Sequence, residues 1–165
     1  MARKASSFTG LNPASAASSQ TKRNNKRRDT MHELMLRREL WRMGLRFRKN
    51  VETLPGKPDI VFSSARVVVF CDGDFWHGRN WKALRPKLNL GTNAAYWSAK
   101  ISSNIVRDKL NTALLRKDGW YVIRLWETDI KQDPVGAASF IKRTVESQLR
   151  GTTEKTSKPN RKLRG

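Results

Sequence analysis

Two short apolar runs, residues 59–62 and 66–71, are separated only by Ser63, Ser64 and Ala65. They read as the two strands of a hairpin, and both are led or followed by chemistry-bearing residues. Pro58 cannot donate to a strand ladder and favours the start of a strand, and Asp59 opens the apolar run behind it. The second run passes directly into Cys71-Asp72-Gly73-Asp74-Phe75-Trp76-His77. A sheet built this way presents carboxylates, aromatic rings and a histidine from rigid strand ends. Such a set can bind a hard divalent cation and position a base.

The rest of the chain supplies a frame for that hairpin. Asp29 or Thr30 can cap a helix whose first turn holds Glu33, in the pattern of a capping box. Leu36, Leu40 and Trp41 form its apolar face, and Gly44 stops it. Residues 45–49 alternate as a short strand, and Leu54 to Pro58 form a turn. A loop carrying Gly78, Arg79, Asn80, Pro86 and Gly91 leads to a long helix over about 93–117, ended by Gly119. Residues 120–126 are continuously apolar except for Arg124, which predicts a strand interior to the sheet. A last helix begins at Asp133 or Pro134 and runs to about 149. The order α-β-β-β-α-β-α predicts one α/β domain over 29–150, a mixed sheet flanked by helices. Residues 1–28 and 151–165 are basic and poor in large apolar groups, so they are expected to be disordered tails.

With 34 Lys and Arg against 14 Asp and Glu, the chain carries a formal net charge of +20. A polyanionic partner follows, because each neutralised phosphate releases counterions. A ribosomal or chromatin-like coating protein shares that charge, but six Trp argue against a mere basic tail protein. The single cysteine, Cys71, excludes an internal disulfide and a cysteine-rich zinc site. No apolar run reaches the length of a membrane span, and the first residues lack the apolar core of a secretory signal. A cytoplasmic, nucleoid-associated protein is expected.

Within the candidate site, Asp72 and Asp74 alternate past the second strand and would share a face, while Gly73 permits close approach of a substrate backbone. His77 has a side chain suited to activating water as a general base. His32, the other histidine, sits in a basic, exposed helix start. Phe75 and Trp76 are either core residues or rings held ready to stack on bases, with Trp81 open to either role. In the long helix, Trp97, Ile101, Asn104, Ile105, Asp108, Thr112 and Leu115 share a stripe. Asn104 and Asp108 are either a buried hydrogen-bond network or site residues, Asp108 orienting the imidazole or a metal-bound water. Lys100, Arg107, Lys109 and Arg116 lie off the stripe and suit phosphate contacts. Glu33 shares the stripe of Leu36 and Leu40, and reads equally as a helix-start acid or as a site residue.

These motifs together resemble one known family. The stretches 54–62 (LPGKPDIVF) and 69–78 (VFCDGDFWHG), Tyr96-Trp97 through Lys100-Ile101 to Asn104–Asp108, and Gly119–Val122 to Trp126-Glu127 occur in its order and spacing. The family is that of the very-short-patch-repair (Vsr) DNA mismatch endonucleases, and the resemblance covers about residues 23–130. It implies a fold related to the PD-(D/E)xK restriction endonucleases. It also implies magnesium-dependent nicking 5′ to the thymine of a T:G mismatch left by deamination of 5-methylcytosine.

Carried over by position, Asp59 is similar to the metal-binding carboxylate and the Cys71 carbonyl to a second metal contact. His77 resembles the general base, supported by Asp108, and Glu33 the helix acid. Phe75, Trp76 and Trp97 match aromatics that wedge into the duplex, and Arg79, Lys100 and Arg107 would contact the nucleic acid. The best-studied branch has a histidine at the place of Asp72, which here becomes an added metal carboxylate or a substitute hydrogen-bonding partner. That branch also holds a structural zinc. Asp74, Asn80 and Thr128 stand in its region here, so zinc is expected to be absent and an Asp74–Arg79 pair to replace it. Double-stranded DNA with a mismatch is the implied partner, with mismatch-repair proteins as possible associates and a monomer as the acting unit. Competing expectations are a homing or mobile-element endonuclease with the same core, and a non-catalytic DNA-binding protein. Joint retention of Glu33, Asp59, His77 and Asp108 argues against the last.

Overall fold

The computed structural model describes residues 28–90 and 93–156, with side chains described as far as residue 151. Helix α1 spans Met31–Arg42, with Thr30 as its N-cap. Glu33 accepts from the Asp29 backbone N–H at 3.0 Å and from the Thr30 hydroxyl at 2.8 Å, tying the helix start together, while the Thr30 side chain makes no cap bond of its own to the helix N–H groups. At the other end, Leu45 N–H donates to Leu40 C=O and Gly44 N–H to Trp41 C=O, both at 3.0 Å. That double closure needs a left-handed residue, which Gly44 supplies at φ 81°.

Four strands follow in one sheet of order β1-β2-β3-β4: β1 Arg48–Lys49, β2 Ile60–Phe62, β3 Val67–Asp72 and β4 Tyr121–Trp126. The expected hairpin is present. β2 pairs antiparallel with β3, Ile60 opposite Val69 and Phe62 opposite Val67. β4 runs parallel to β3, from Val67 opposite Tyr121 to Asp72 opposite Trp126. A parallel pair requires a long crossover, here carried by α2 (Trp81–Leu88) and α3 (Ala94–Lys117). Two helices complete the chain, α4 Glu127–Gln132 and α5 Pro134–Thr156. The fold is thus the expected mixed α/β domain.

All of β2 and β3 is buried, on both faces. Val67, Val69 and Cys71 face Leu36 and Leu40 of α1, Ile130 of α4, and Ala138, Ile141 and Val145 of α5. Val68 and Phe70 pack instead with Leu115 of α3, Val122 and Val51. Successive β3 residues therefore serve two separate cores, which explains an apolar run without alternation.

Four elements differ from expectation. β1 is confined to residues 48–49, because only these pair with β2. β4 is an edge strand rather than an interior one; its apolar character comes from burial of its faces, not from strands on both sides. The loop after residue 78 contains α2, an eight-residue helix with no buried residue and with Pro86 inside it. The last helix continues to Thr156, past its expected end at about residue 149. Residues 1–27 and 157–165, most of the two expected tails, lie outside the described residues.

Candidate active site

The C-terminal end of β3 gathers side chains from every surrounding element. Asp59, just before β2, accepts the Cys71 backbone N–H on its Oδ2 at 2.7 Å. Its own backbone N–H donates to Val69 C=O at 3.0 Å. Residues 69 and 71 direct their backbone polar groups to the same side of a strand, so the Cys71 carbonyl faces the β2 side, where Asp59 lies. Burial is the main cause that pushes the Asp59 carboxyl up to about 6, with the charges of Glu33 and Asp72 adding to it. The Cys71 N–H and the charge of Arg37 oppose the rise without cancelling it. The other acids have basic partners. Arg37 bonds Glu33 at 2.6 Å and also engages Asp29, and Arg124 engages Asp72. Among the described residues Asp59 has no ion pair.

On the α3 side of the sheet end, His77 Nδ1 lies 2.6 Å from Asp108 Oδ2 and 3.5 Å from Asp72 Oδ1. Burial works against the ionised Asp108, but the His77 bond and the charges of Arg124, His77 and Arg107 outweigh it and hold its carboxyl below the usual range. The loop carrying His77 is tightly wound: His77 N–H donates to Gly73 C=O at 3.1 Å and Arg79 N–H to Asp74 C=O at 3.0 Å. Asn104 of α3 anchors it by donating from Nδ2 to the Trp76 carbonyl at 2.9 Å. Asn104 thus belongs to the hydrogen-bond network under the loop, while Asp108 meets the imidazole itself.

Phe75, Trp76 and Trp97 form one aromatic cluster, with ring centroids 5.2–6.1 Å apart and mostly edge-on. Phe75 is exposed, and Trp76 and Trp97 are half-buried. Lys100 lies one helical turn beyond Trp97, and Arg107 donates to Asn104 Oδ1 at 2.9 Å. Arg79 sits differently from a free phosphate contact. Its guanidinium bonds Asp129 at 2.5 Å and Asp74 at 3.4 Å, and it stands over the Trp126 ring. The Thr128 hydroxyl also bonds Asp74. The expected Asp74–Arg79 pair is therefore present, as part of a larger network with Thr128 and Asp129.

Glu33 is deeply buried, and its carboxylate is taken up by Asp29, Thr30 and Arg37. It acts on Asp59 through charge rather than by a direct bond. Asp72 is likewise buried, and both of its oxygens are bonded by Arg124, at 2.6 and 2.7 Å. Of the two expected roles, this geometry is that of a hydrogen-bonding partner.

Two residues at the site escaped sequence reasoning. His32 is 5% exposed, not on an open helix start; its Nε2 lies 3.4 Å from the Cys71 carbonyl and 3.2 Å from the Thr30 hydroxyl. Its position beside the capping acid was the only signal. Arg124 is the second, and its signal was plain: a lone charge in an apolar strand needs a buried partner.

Known proteins resemble this chain over much of its length. The family model described as "DNA mismatch endonuclease Vsr" matches residues 14–83, a stretch that includes Glu33, Asp59, Asp72 and His77. A type II nicking enzyme of Neisseria meningitidis serogroup C is 39% identical over 124 residues, covering 75% of this chain and 82% of its own length. A type II nicking enzyme of Haemophilus parainfluenzae is 37% identical over 113 residues, 68% of this chain and 79% of its own. The DNA mismatch endonuclease Vsr of Escherichia coli K12 is 35% identical over 104 residues, 63% of this chain and 65% of its own. Likeness of this extent, laid over a strand end that collects acids, a histidine and aromatic rings, places the chain in the Vsr family and makes it a DNA endonuclease.

Proposed function

We propose that the protein nicks one strand of duplex DNA at a T:G mismatch, 5′ to the mispaired thymine, in a reaction dependent on a divalent cation, magnesium in the cell. The observation that carries the reading is the presence, at one strand end, of a half-buried carboxylate without an ion pair among the described residues, Asp59, beside a hydrogen-bonded His77–Asp108 couple.

The donors fit a hard cation. Asp59 and the Cys71 carbonyl are both oxygen donors, and a cation beside Asp59 would offset the burial and the neighbouring Glu33 and Asp72 charges that raise its carboxyl. Among the described residues no three His, Cys, Asp or Glu side chains converge as a ready-made cage. Magnesium binds through one or two carboxylates and fills the rest of its shell with water and substrate phosphate. When bound there, the cation supplies charge stabilisation to the phosphate as negative charge develops on it.

The chain's own groups do the rest. Asp108 fixes the His77 ring through Nδ1, which leaves Nε2 as the nitrogen that takes a proton from the attacking water. Asn104 and the turn of residues 73–79 hold the imidazole in position. Phe75, exposed and backed by Trp76 and Trp97, can enter the base stack beside the weakened pair, and Lys100 and Arg107 lie on the same helix to meet phosphates.

The mismatch step is supported by that aromatic cluster and by similarity to a protein named a DNA mismatch endonuclease. The names of other relatives say only that they nick DNA. Labelled duplexes carrying T:G, T:A or C:G at one position, incubated with magnesium or with chelator, test the whole reading. Nicking of the T:G duplex alone, and only with magnesium, is expected. Equal nicking of all three removes the mismatch assignment, and nicking in chelator removes the cation.

A further inference from the structure

Arg124 completes a three-element clamp around His77. Its Nε donates to Asp72 Oδ2 at 2.6 Å and its Nη2 to Asp72 Oδ1 at 2.7 Å, a bidentate fork from β4 to the end of β3. The same Nη2 lies 3.3 Å from Asp108 Oδ1 on α3. Nη1 reaches the Thr112 hydroxyl at 3.4 Å, and the guanidinium carbon stands 4.6 Å from the Phe70 ring centre. Every nitrogen of the fork is engaged. The other oxygen of Asp108, Oδ2, meets His77 Nδ1 at 2.6 Å, while Asp72 Oδ1 lies 3.5 Å from that same nitrogen.

From this geometry we infer that Arg124 is a positioning residue for the nicking reaction: by binding both carboxylates it keeps His77 anchored through Nδ1 with Nε2 open. The inference rests on the reading of His77 as the base and adds to it what sets that base. Asp72 Oδ1 and Asp108 Oδ2 both face Nδ1, and with no guanidinium between them two negative charges would bear on the ring at once. One guanidinium bound to both leaves a net single negative charge beside the ring and holds Asp108 as the partner of Nδ1. The charged groups around His77 are Asp72 on β3, Asp108 and Arg107 on α3, and Arg124 on β4. Burial weakens the Arg124 cation, but the bonds and charges of Asp72 and Asp108 more than restore it, so the clamp stays charged at all working pH. A lysine offers a point charge without the fork and could not span both acids in this way.

The test compares wild type, Arg124→Met and the double variant Asp72→Asn/Arg124→Met. Single-turnover nicking of the T:G duplex is followed against pH at saturating magnesium, and the imidazole nitrogens are read by NMR in the DNA-free protein. For Arg124→Met, the acid limb of the rate profile is expected to move up by about one to two pH units, with roughly a tenfold or greater loss near neutral pH that recovers in alkali. The double variant restores the single net negative charge, so its limb should return to within about half a unit of wild type. A rate lowered equally at every pH, or a double variant no better than the single one, overturns the inference.

The wild-type imidazole spectrum needs no variant: the proton is expected on Nδ1, and a proton on Nε2 instead overturns the inference even if both variants fail to fold. The underlying reading fails separately, if His77→Ala nicks as fast as wild type. In that case the NMR comparison still decides whether Arg124 sets the imidazole.

Discussion

At the scale of single residues, Asp59 carries the sharpest consequence. In the unfolded chain its carboxyl titrates near the ordinary value of about 3.9, and folding pushes it up to about 6, chiefly by burial. A raised carboxylate favours the protonated form of the folded protein. Its contribution to stability is therefore complete below about pH 4 and is lost as pH rises through about 6. In chelator, Asp59→Asn should melt higher than wild type at pH 7.5, by an amount equivalent to about 1–2 kcal/mol, and show no such gain near pH 4. Magnesium should reverse the order at pH 7.5 by stabilising wild type alone, and its affinity should fall as pH drops below about 6. Thermal melts and calorimetric titration check both. The same variant is expected to lose nicking while keeping duplex binding, and retained activity would remove Asp59 from the site.

Among the elements, the turn that joins β3 to α2 decides whether His77 is in place. Gly78 within it has φ 68°, and a Cβ there would stand 2.7 Å from Ile105 Cδ1 and 3.2 Å from Ile101 Cγ2 of α3. Gly78→Ala is thus expected to cost about 1–3 kcal/mol, by strain and by contact. It should also lower nicking at least tenfold by lifting the turn from α3. Adding Ile105→Val relieves the contact but not the backbone strain, so recovery should be partial; denaturant melts and nicking rates report the two effects. The glycine was legible in the sequence only as a loop marker. What it packs against depends on α3, which arrives some twenty residues later in the chain.

For the whole molecule, the charge of +20 sets how it meets DNA. Each phosphate neutralised contributes about −0.9 to the slope of log affinity against log salt. Replacing Lys22, Arg23, Lys26 and Arg27 by Gln is expected to weaken binding to every duplex alike and to make that slope shallower. The ratio of T:G to T:A nicking should stay unchanged, because these charges read no bases. Fluorescence titrations at several salt concentrations, paired with the nicking assay, separate affinity from selectivity. No described helix is long and apolar enough to cross a membrane.

What the sequence determined by itself was local. The β2–β3 hairpin, the helix start at Thr30 and Glu33, the stop at Gly44 and the span of α3 all rest on near neighbours, whose propensities and turn chemistry are written in the chain. It also carried the family's motif residues, Asp59, Cys71 and His77 among them, and the structure brings these to one strand end. Only the tertiary structure decided lateral position and pairing. An apolar run reports burial of a strand's faces but not how many strands flank it, so β4 proved to be an edge. A carboxylate at a strand end reports charge but not its partner. The role of Asp72 waited on Arg124, fifty-two positions away, whose guanidinium binds both of its oxygens. The two short strands read first from the sequence thus supply the site's frame, and the helices and β4 folded against them set its chemistry.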